Sequence, residues 1–266
     1  MSMEVAEKIG MELSLLTNNG RRLRLDMALR GEPMLHPLLT KLVSIFRYRL
    51  PHAQISMVTN GYRLRPYTAR VLFECGMNFI YLDCYNNSYS HWYDTFMKCD
   101  EDFAVREARD ITHWKWHGNK KRCLILGQDI RTEKKSTRNL VSFCQVLPEN
   151  NCKKYNIERI TEPLQKRCAD PFRSMNITYN GNVILCCRDW DETRIMYRLM
   201  RTNSDLIDYW YHDLKLNSIR TLLWYKHRNF TPCNKCEYNG GVYLGNLPSV
   251  GRWNEDGLKK LITNNL

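Results

Sequence analysis

The spacing of four cysteines limits what the C-terminal part of this chain can fold into more than any other feature. Cys168 is followed by twelve residues, Gly181, four residues and Cys186, and a Cys233-Asn-Lys-Cys236 pair comes later. Thiolates are soft ligands, and four of them around one point suit zinc or an iron–sulfur cluster. The short gap lets Cys233 and Cys236 grip one centre. Segments 175–179 and 183–185 alternate around Asn180-Gly181, a dipeptide that favours a type I′ hairpin turn. Such a hairpin brings its flanking cysteines together, and a helical stretch over 205–228 returns Cys233 and Cys236 to the same place. Cys168, Cys186, Cys233 and Cys236 are therefore the candidate metal ligands, with buried free thiols as the alternative. Cys187 is expected on the other face of the strand from Cys186. Cys75, Cys84, Cys99, Cys123, Cys144 and Cys152 lack ligand spacing and read as core thiols.

The total of 11 cysteines is odd, and no basic segment followed by an apolar one opens the chain. The expectation is a cytoplasmic protein whose thiols serve as ligands and core groups, not a disulfide framework. No apolar run approaches the ~18 residues of a membrane span, so no membrane partner is expected.

Upstream of the cysteines, strand and helix patterns alternate. Val5, Ile9, Leu13 and Leu16 recur at helical spacing over 3–17. Residues 22–29 alternate strictly, with Leu23, Leu25, Met27 and Leu29 on one face and Arg22, Arg24, Asp26 and Ala28 on the other. Helices follow over 37–49 and 65–75, strands over 54–59 and 77–84, and a further helix over 90–110. Additional strands are expected over 122–126 and 141–146. This alternation argues for parallel β/α units. The pattern changes near residue 150, which divides the chain into an α/β domain over 1–150 and a smaller one over 151–266.

The net charge of +12 is uneven. Between His113 and Arg167 there are 13 Lys/Arg and five Asp/Glu, 13 − 5 = +8. Trp114 and Trp116 precede the run Lys120-Lys121-Arg122. Basic residues interleaved with aromatics can contact nucleic acid, but no nucleic-acid-binding motif accompanies the charge, and the segment reads first as a solvated, lysine-rich connection between domains.

The cysteine pattern, with Pro171-Phe172, Asn180-Gly181-Asn182-Val183, Cys186-Cys187-Arg188-Asp189, Trp210 and Ile219-Arg220, resembles the SPASM or twitch domain of radical S-adenosylmethionine (SAM) enzymes. The N-terminal part resembles the core of the same enzymes. Arg30-Gly31-Glu32-Pro33-Met34-Leu35-His36-Pro37 is similar to the family's GGEPLLHP segment, with Arg30 in place of the first glycine. Thr59-Asn60-Gly61 matches its TNG. Ile80-Tyr81-Leu82-Asp83 resembles its SLD segment, with Tyr81 in place of serine. The resemblance covers residues 1–100 and 163–240. It implies a partial (β/α)6 barrel and a small α+β domain whose Cys168, Cys186, Cys233 and Cys236 hold one auxiliary [4Fe–4S] cluster. Gly31, Glu32, Pro33 and Asp83 become candidate SAM contacts, with Glu32 at the cofactor ammonium and Asp83 at its ribose. Arg24 and Asp26 would face substrate, with an ion pair of Asp26 to Arg24 or Arg22 as the alternative.

One family feature is absent from the 266 residues: the CxxxCxxC loop after the first barrel strand, whose cluster cleaves SAM. The match begins at what would be the first barrel helix. The expectation is either a truncated or split enzyme, with the first strand supplied upstream or by a partner chain, or a protein that kept the scaffold and lost the chemistry. As written, the chain is expected not to cleave SAM. The family implies an electron donor and a peptide or small-molecule substrate. The competing reading is a binding scaffold stapled by a four-cysteine zinc or cluster site.

Overall fold

The computed structural model describes residues 1–18, 23–84, 89–97, 103–107, 122–128, 160–202 and 205–236. The chain divides into two compact units, residues 2–133 and 134–266. The expected strand over 141–146, the basic run after Trp114 and Cys99, Cys144 and Cys152 lie outside the described residues.

The first unit is a parallel α/β structure. Helix α1 (Met3–Asn18) is followed by β1 (Arg24–Asp26), a short 3-10 turn (Pro33–Leu35), α2 (Leu39–Arg49), β2 (Gln54–Thr59), α3 (Pro66–Glu74), β3 (Phe79–Cys84), α4 (Tyr89–Met97), β4 (Ala104–Glu107) and β5 (Cys123–Gln128). The strands form one sheet in the order β1-β2-β3-β5-β4, every pair parallel. The order is sequential until the last two strands, where β5 lies inside and β4 takes the edge. β2 is buried along almost its whole length, as a strand covered on both faces must be.

Local chemistry sets the element ends. Pro66 starts α3, where its missing N–H costs nothing. Gly76 ends the same helix at φ +111°, with Arg47 Cγ 2.5 Å from where a Cβ would sit. The Arg47 side chain donates to the carbonyls of Gly76, Leu50, Pro51 and Ala53 and to Asn78 Oδ1, tying α2 to the entries of β2 and β3. α1 lies on α2, with Glu7 Oε2 accepting from Arg49 Nε at 2.7 Å.

The stretch expected as helix over 90–110 divides into α4 and β4. Phe103 and Val105 are both buried and lie two residues apart, which is strand periodicity. Acidic residues on either side give the same stretch the look of a solvated helix.

In the second unit a four-residue helix α5 (Asp170–Arg173) leads into a three-stranded sheet, β6 (Asn176–Ile177), β7 (Asn182–Ile184) and β8 (Ile195–Arg198), antiparallel throughout. Helices α6 (Leu206–His212) and α7 (Leu214–Trp224) follow. The hairpin forms where expected but with a different turn. Gly181 has φ +81°, while among described non-glycine residues only Glu192 and Lys226 have positive φ, so Asn180 does not. Gly181 N–H donates to Thr178 O and Thr178 N–H to Asn182 O. This is the three-residue loop with glycine in the left-handed position, not the two-residue I′ turn, which needs both central residues there. The single helix expected over 205–228 breaks at Asp213, whose carboxylate caps α7 by accepting from Leu216 N–H at 2.7 Å. Among the described residues no helix is long and apolar enough to cross a membrane.

Candidate cofactor and metal sites

In a parallel sheet all strand C-termini lie at one edge, where sites of α/β folds form. Gly31, Glu32 and Pro33 follow β1, Thr59-Asn60-Gly61 closes β2, and Asp83 lies near the end of β3, its backbone in register with Gly127. Gly31 takes φ +72°, which suits glycine alone among common residues. Glu32 caps the 3-10 turn. Its Oε1 accepts from Met34 N–H at 2.9 Å and from the Thr59 hydroxyl at 2.6 Å. Its Oε2 accepts from Asn60 N–H at 2.8 Å. Thr59 Oγ1 in turn accepts from Gly61 N–H at 3.1 Å. The two motifs are thus one hydrogen-bonded unit, a link that sequence order alone does not reveal. Three of the roughly four acceptor positions of the Glu32 carboxylate are engaged within the protein.

On β1, Arg24 Nη2 lies 3.8 Å from Asp26 Oδ2 and Arg24 Nε donates to Ser56 Oγ at 3.3 Å. The ion pair is therefore the arrangement present. Loss of solvation raises the Asp26 carboxyl above its ordinary value, against the pull of Arg24.

The second unit assembles the cysteines. Cys168 stands just before α5, and Cys186 and Cys187 follow β7 in a turn closed by Asp189 N–H to Cys186 O at 3.1 Å. Cys233 and Cys236 bound a 3-10 turn (Cys233–Lys235). Because the Cys186–Cys187 pair lies past the strand, period-two alternation does not send Cys187 to the opposite face.

Arginines hold these loops. Fully buried Arg220 on α7 donates through Nε to Pro171 O at 3.0 Å and through Nη1 to Trp210 O at 2.6 Å and Asn217 Oδ1 at 2.9 Å. Its guanidinium stacks on Trp210, 4.2 Å from the ring centre. Arg228 donates to the carbonyls of Lys166 and Arg167, each at 2.7 Å. Cys168 is thus pinned from both sides. Buried Asp189 accepts from Thr193 N–H, Thr193 Oγ1 and Arg194 N–H, and Arg194 Nε reaches Thr231 O at 2.8 Å, two residues before Cys233. Of these supports, sequence spacing marks none. The available signal is the resemblance, which singles out Asp189 and Arg220 without their partners.

Burial pushes Cys168 up to about 12, with Asp170 adding to it and Arg228 opposing it. Burial, then Cys236 and Cys168, push Cys233 up to about 12. Cys186 is raised well above its ordinary value by burial, then by Cys187, with Cys233 contributing. The thiols therefore lie in one another's fields, each disfavouring its neighbour's thiolate. Among the described residues no three His, Cys, Asp or Glu side chains converge as closely as bound ligands do. Metal binding to these thiols must displace their protons. An all-sulfur, buried donor set of this kind fits a soft metal or an iron–sulfur cluster.

Residues 168–237 match the SPASM family, described as an iron–sulfur cluster-binding domain. Two solved structures of BtrN share the fold of the chain. One is BtrN in complex with AdoMet and 2-DOIA, at TM-score 0.60 and 20% identity. The other is BtrN in an open conformation, at 0.56 and 18%. Each comparison covers 90% of this chain and 80% of BtrN. The chain thus shares the fold of BtrN, and its C-terminal part matches an iron–sulfur cluster-binding domain. No curated protein sequence matches it. The SPASM-type match runs from Cys168 to just past Cys236, so it contains all five thiols just described.

Proposed function

We propose that this chain is a radical SAM-type protein carrying one auxiliary [4Fe–4S] cluster on Cys168, Cys186, Cys233 and Cys236, and that it acts in radical-based modification of a peptide or small molecule. The observation that carries this reading is the gathering of buried, mutually coupled thiols inside the SPASM-matched segment of such a fold. When bound, the cluster supplies one-electron transfer close to the substrate. Arg228 and Arg194 oppose the rise of the Cys233 thiol, and would offset part of the negative charge of a thiolate-bound cluster.

S-adenosylmethionine would lie across the C-terminal ends of β1–β3, held by Gly31, Glu32, Pro33 and Asp83. The Glu32–Thr59 contact keeps the first of these loops in place before the cofactor arrives. Cofactor cleavage needs a CxxxCxxC segment, which the 266 residues do not contain. Among the described strands β1 stands at an edge of the sheet, where a further strand, from the same polypeptide or a partner chain, would add. The AdoMet and 2-DOIA complex of BtrN supports the cofactor and favours the small-molecule arm of the substrate reading.

Anaerobic reconstitution with iron and sulfide tests the reading. About four iron atoms per chain, lost in Cys233→Ala, is the expected result. Freshly purified protein holding zinc and taking up no iron would instead support a stapled, non-catalytic scaffold, since four thiolates also suit tetrahedral zinc.

A further inference from the structure

A cleft of about 400 Å³ lies in the second unit, lined by β8, the turn after it and α6. We propose that this cleft is a binding site for an α-amino acid with an apolar side chain, its carboxylate held by Arg198 and Arg201 and its ammonium by Asp208 and Asp213. The inference goes beyond the cluster reading and does not depend on it.

Charge is the first argument. Arg198 and Arg201 line the cleft from β8 and the turn after it, and Asp208 and Asp213 line it from α6 and its C-terminal end. Two positive and two negative groups therefore share one space, with His212 also lining it. Exposed groups of opposite sign pair where their side chains can meet. Among the described residues no ion pair joins either arginine to either aspartate. The Asp213 carboxylate accepts from Leu216 N–H at 2.7 Å and keeps acceptor positions to spare. The opposite charges thus stand apart within the cleft. A simple anion would satisfy the arginines and be repelled by the aspartates, and a simple cation would do the reverse. An α-amino acid carries both charges on one carbon and answers both sides.

Tyr209 is the second argument. It lines the cleft and is only 5% exposed. A buried tyrosine hydroxyl usually has a hydrogen-bond partner. Among the described residues the hydroxyl of Tyr209 has none. Its ring is fixed against that of Tyr197, with centroids 4.7 Å apart. Burial, then Asp213, push the phenol up, so it keeps its proton and stays a donor. A carboxylate in the cleft would accept from it. Met196 and the two tyrosine rings supply apolar lining for a hydrophobic side chain, and the volume is in the range of small-molecule sites.

Calorimetric titration of the full chain tests the inference with three probes: L-phenylalanine, 3-phenylpropionate, which lacks the ammonium, and phenethylamine, which lacks the carboxylate. L-Phenylalanine should bind at one site per chain, and each analogue should bind about tenfold or more weaker, because each leaves one pair of charged residues unanswered. Arg198→Gln combined with Arg201→Gln should erase the preference for L-phenylalanine over phenethylamine. Asp208→Asn should narrow the preference over 3-phenylpropionate, and Tyr209→Phe should weaken L-phenylalanine severalfold. Absence of L-phenylalanine binding overturns the inference. So do analogues that bind equally well, or arginine and aspartate variants that bind like wild type. Arg198, Arg201 and Asp208 are exposed, so their variants decide the matter should Tyr209→Phe fail to fold.

Discussion

The hydroxyl of Thr59 donates to Glu32 Oε1 at 2.6 Å, joining the loop after β1 to the loop after β2. A hydrogen bond to a charged acceptor is worth about 1.5–3 kcal/mol. Thr59→Val removes this donor and also the acceptor for Gly61 N–H. It should lower stability by about 2 kcal/mol, read as a shift of the urea midpoint at unchanged slope. Thr59→Ser keeps the hydroxyl and should recover most of the loss. Glu32→Gln keeps one oxygen and turns an N–H₂ toward Asn60 N–H, so it should cost as much and also weaken S-adenosylmethionine binding in calorimetry.

Gly61 should tolerate no side chain. Its φ is +77°, and a Cβ would stand 2.2 Å from Leu82 Cδ1 and 3.2 Å from Trp92. Overpacking costs about 1–3 kcal/mol, and left-handed backbone adds to it for any residue with a Cβ. Gly61→Ala should therefore lower stability by about 2 kcal/mol or more. An unchanged thermal midpoint would mean that the β2–α3 turn is not packed against β3 and α4 as described.

Much of the fold was readable because two periodicities were clean. Residues 54–59 form the strand their run announces, and α1, α2 and α3 follow their apolar stripes to within two residues at each end. The cysteines were readable because ligand geometry restricts spacing. Three kinds of feature were not. Charged flanks masked the short edge strand β4. Asp213 stops a helix whose apolar pattern continues past it, because a carboxylate caps the next helix better than it continues the first. The roles of Glu32, Arg220 and Arg228 depend on partners 27 to 62 residues away, and no local pattern encodes them.

Arg220 supports the cysteine site through carbonyl oxygens. Its fork reaches Pro171 O, Trp210 O and Asn217 Oδ1 at once, and burial draws its pKa down to about 10. A lysine cannot span these acceptors. Arg220→Lys should cost about 2–3 kcal/mol through acceptors left without donors. It should also reduce iron uptake, since Pro171 holds the loop that follows Cys168. Iron per chain and the urea midpoint should fall together. Loss of stability with full iron uptake would mean that Cys168 is positioned without Arg220.

The coupled thiols make the stability of the metal-free chain fall in alkali. Cys168 and Cys233 are each pushed up to about 12, above the ordinary thiol value of 9.0. A group whose pKa is raised by folding contributes its full stability below the unfolded value and loses it as pH climbs toward the folded one. The loss should therefore begin near pH 9 and continue toward 12. For the buried Cys233 it amounts to about 2–3 kcal/mol by pH 11. Urea midpoints of the apo chain between pH 8 and 11 should show this slope, and Cys233→Ala should flatten it. Metal reverses the sign. Bound thiolates have given up their protons, so affinity rises with pH and binding releases protons. Titrating zinc or cobalt into the apo chain in two buffers of different ionisation enthalpy should report that release, and proton-neutral binding would mean that the metal sits elsewhere than on these sulfurs.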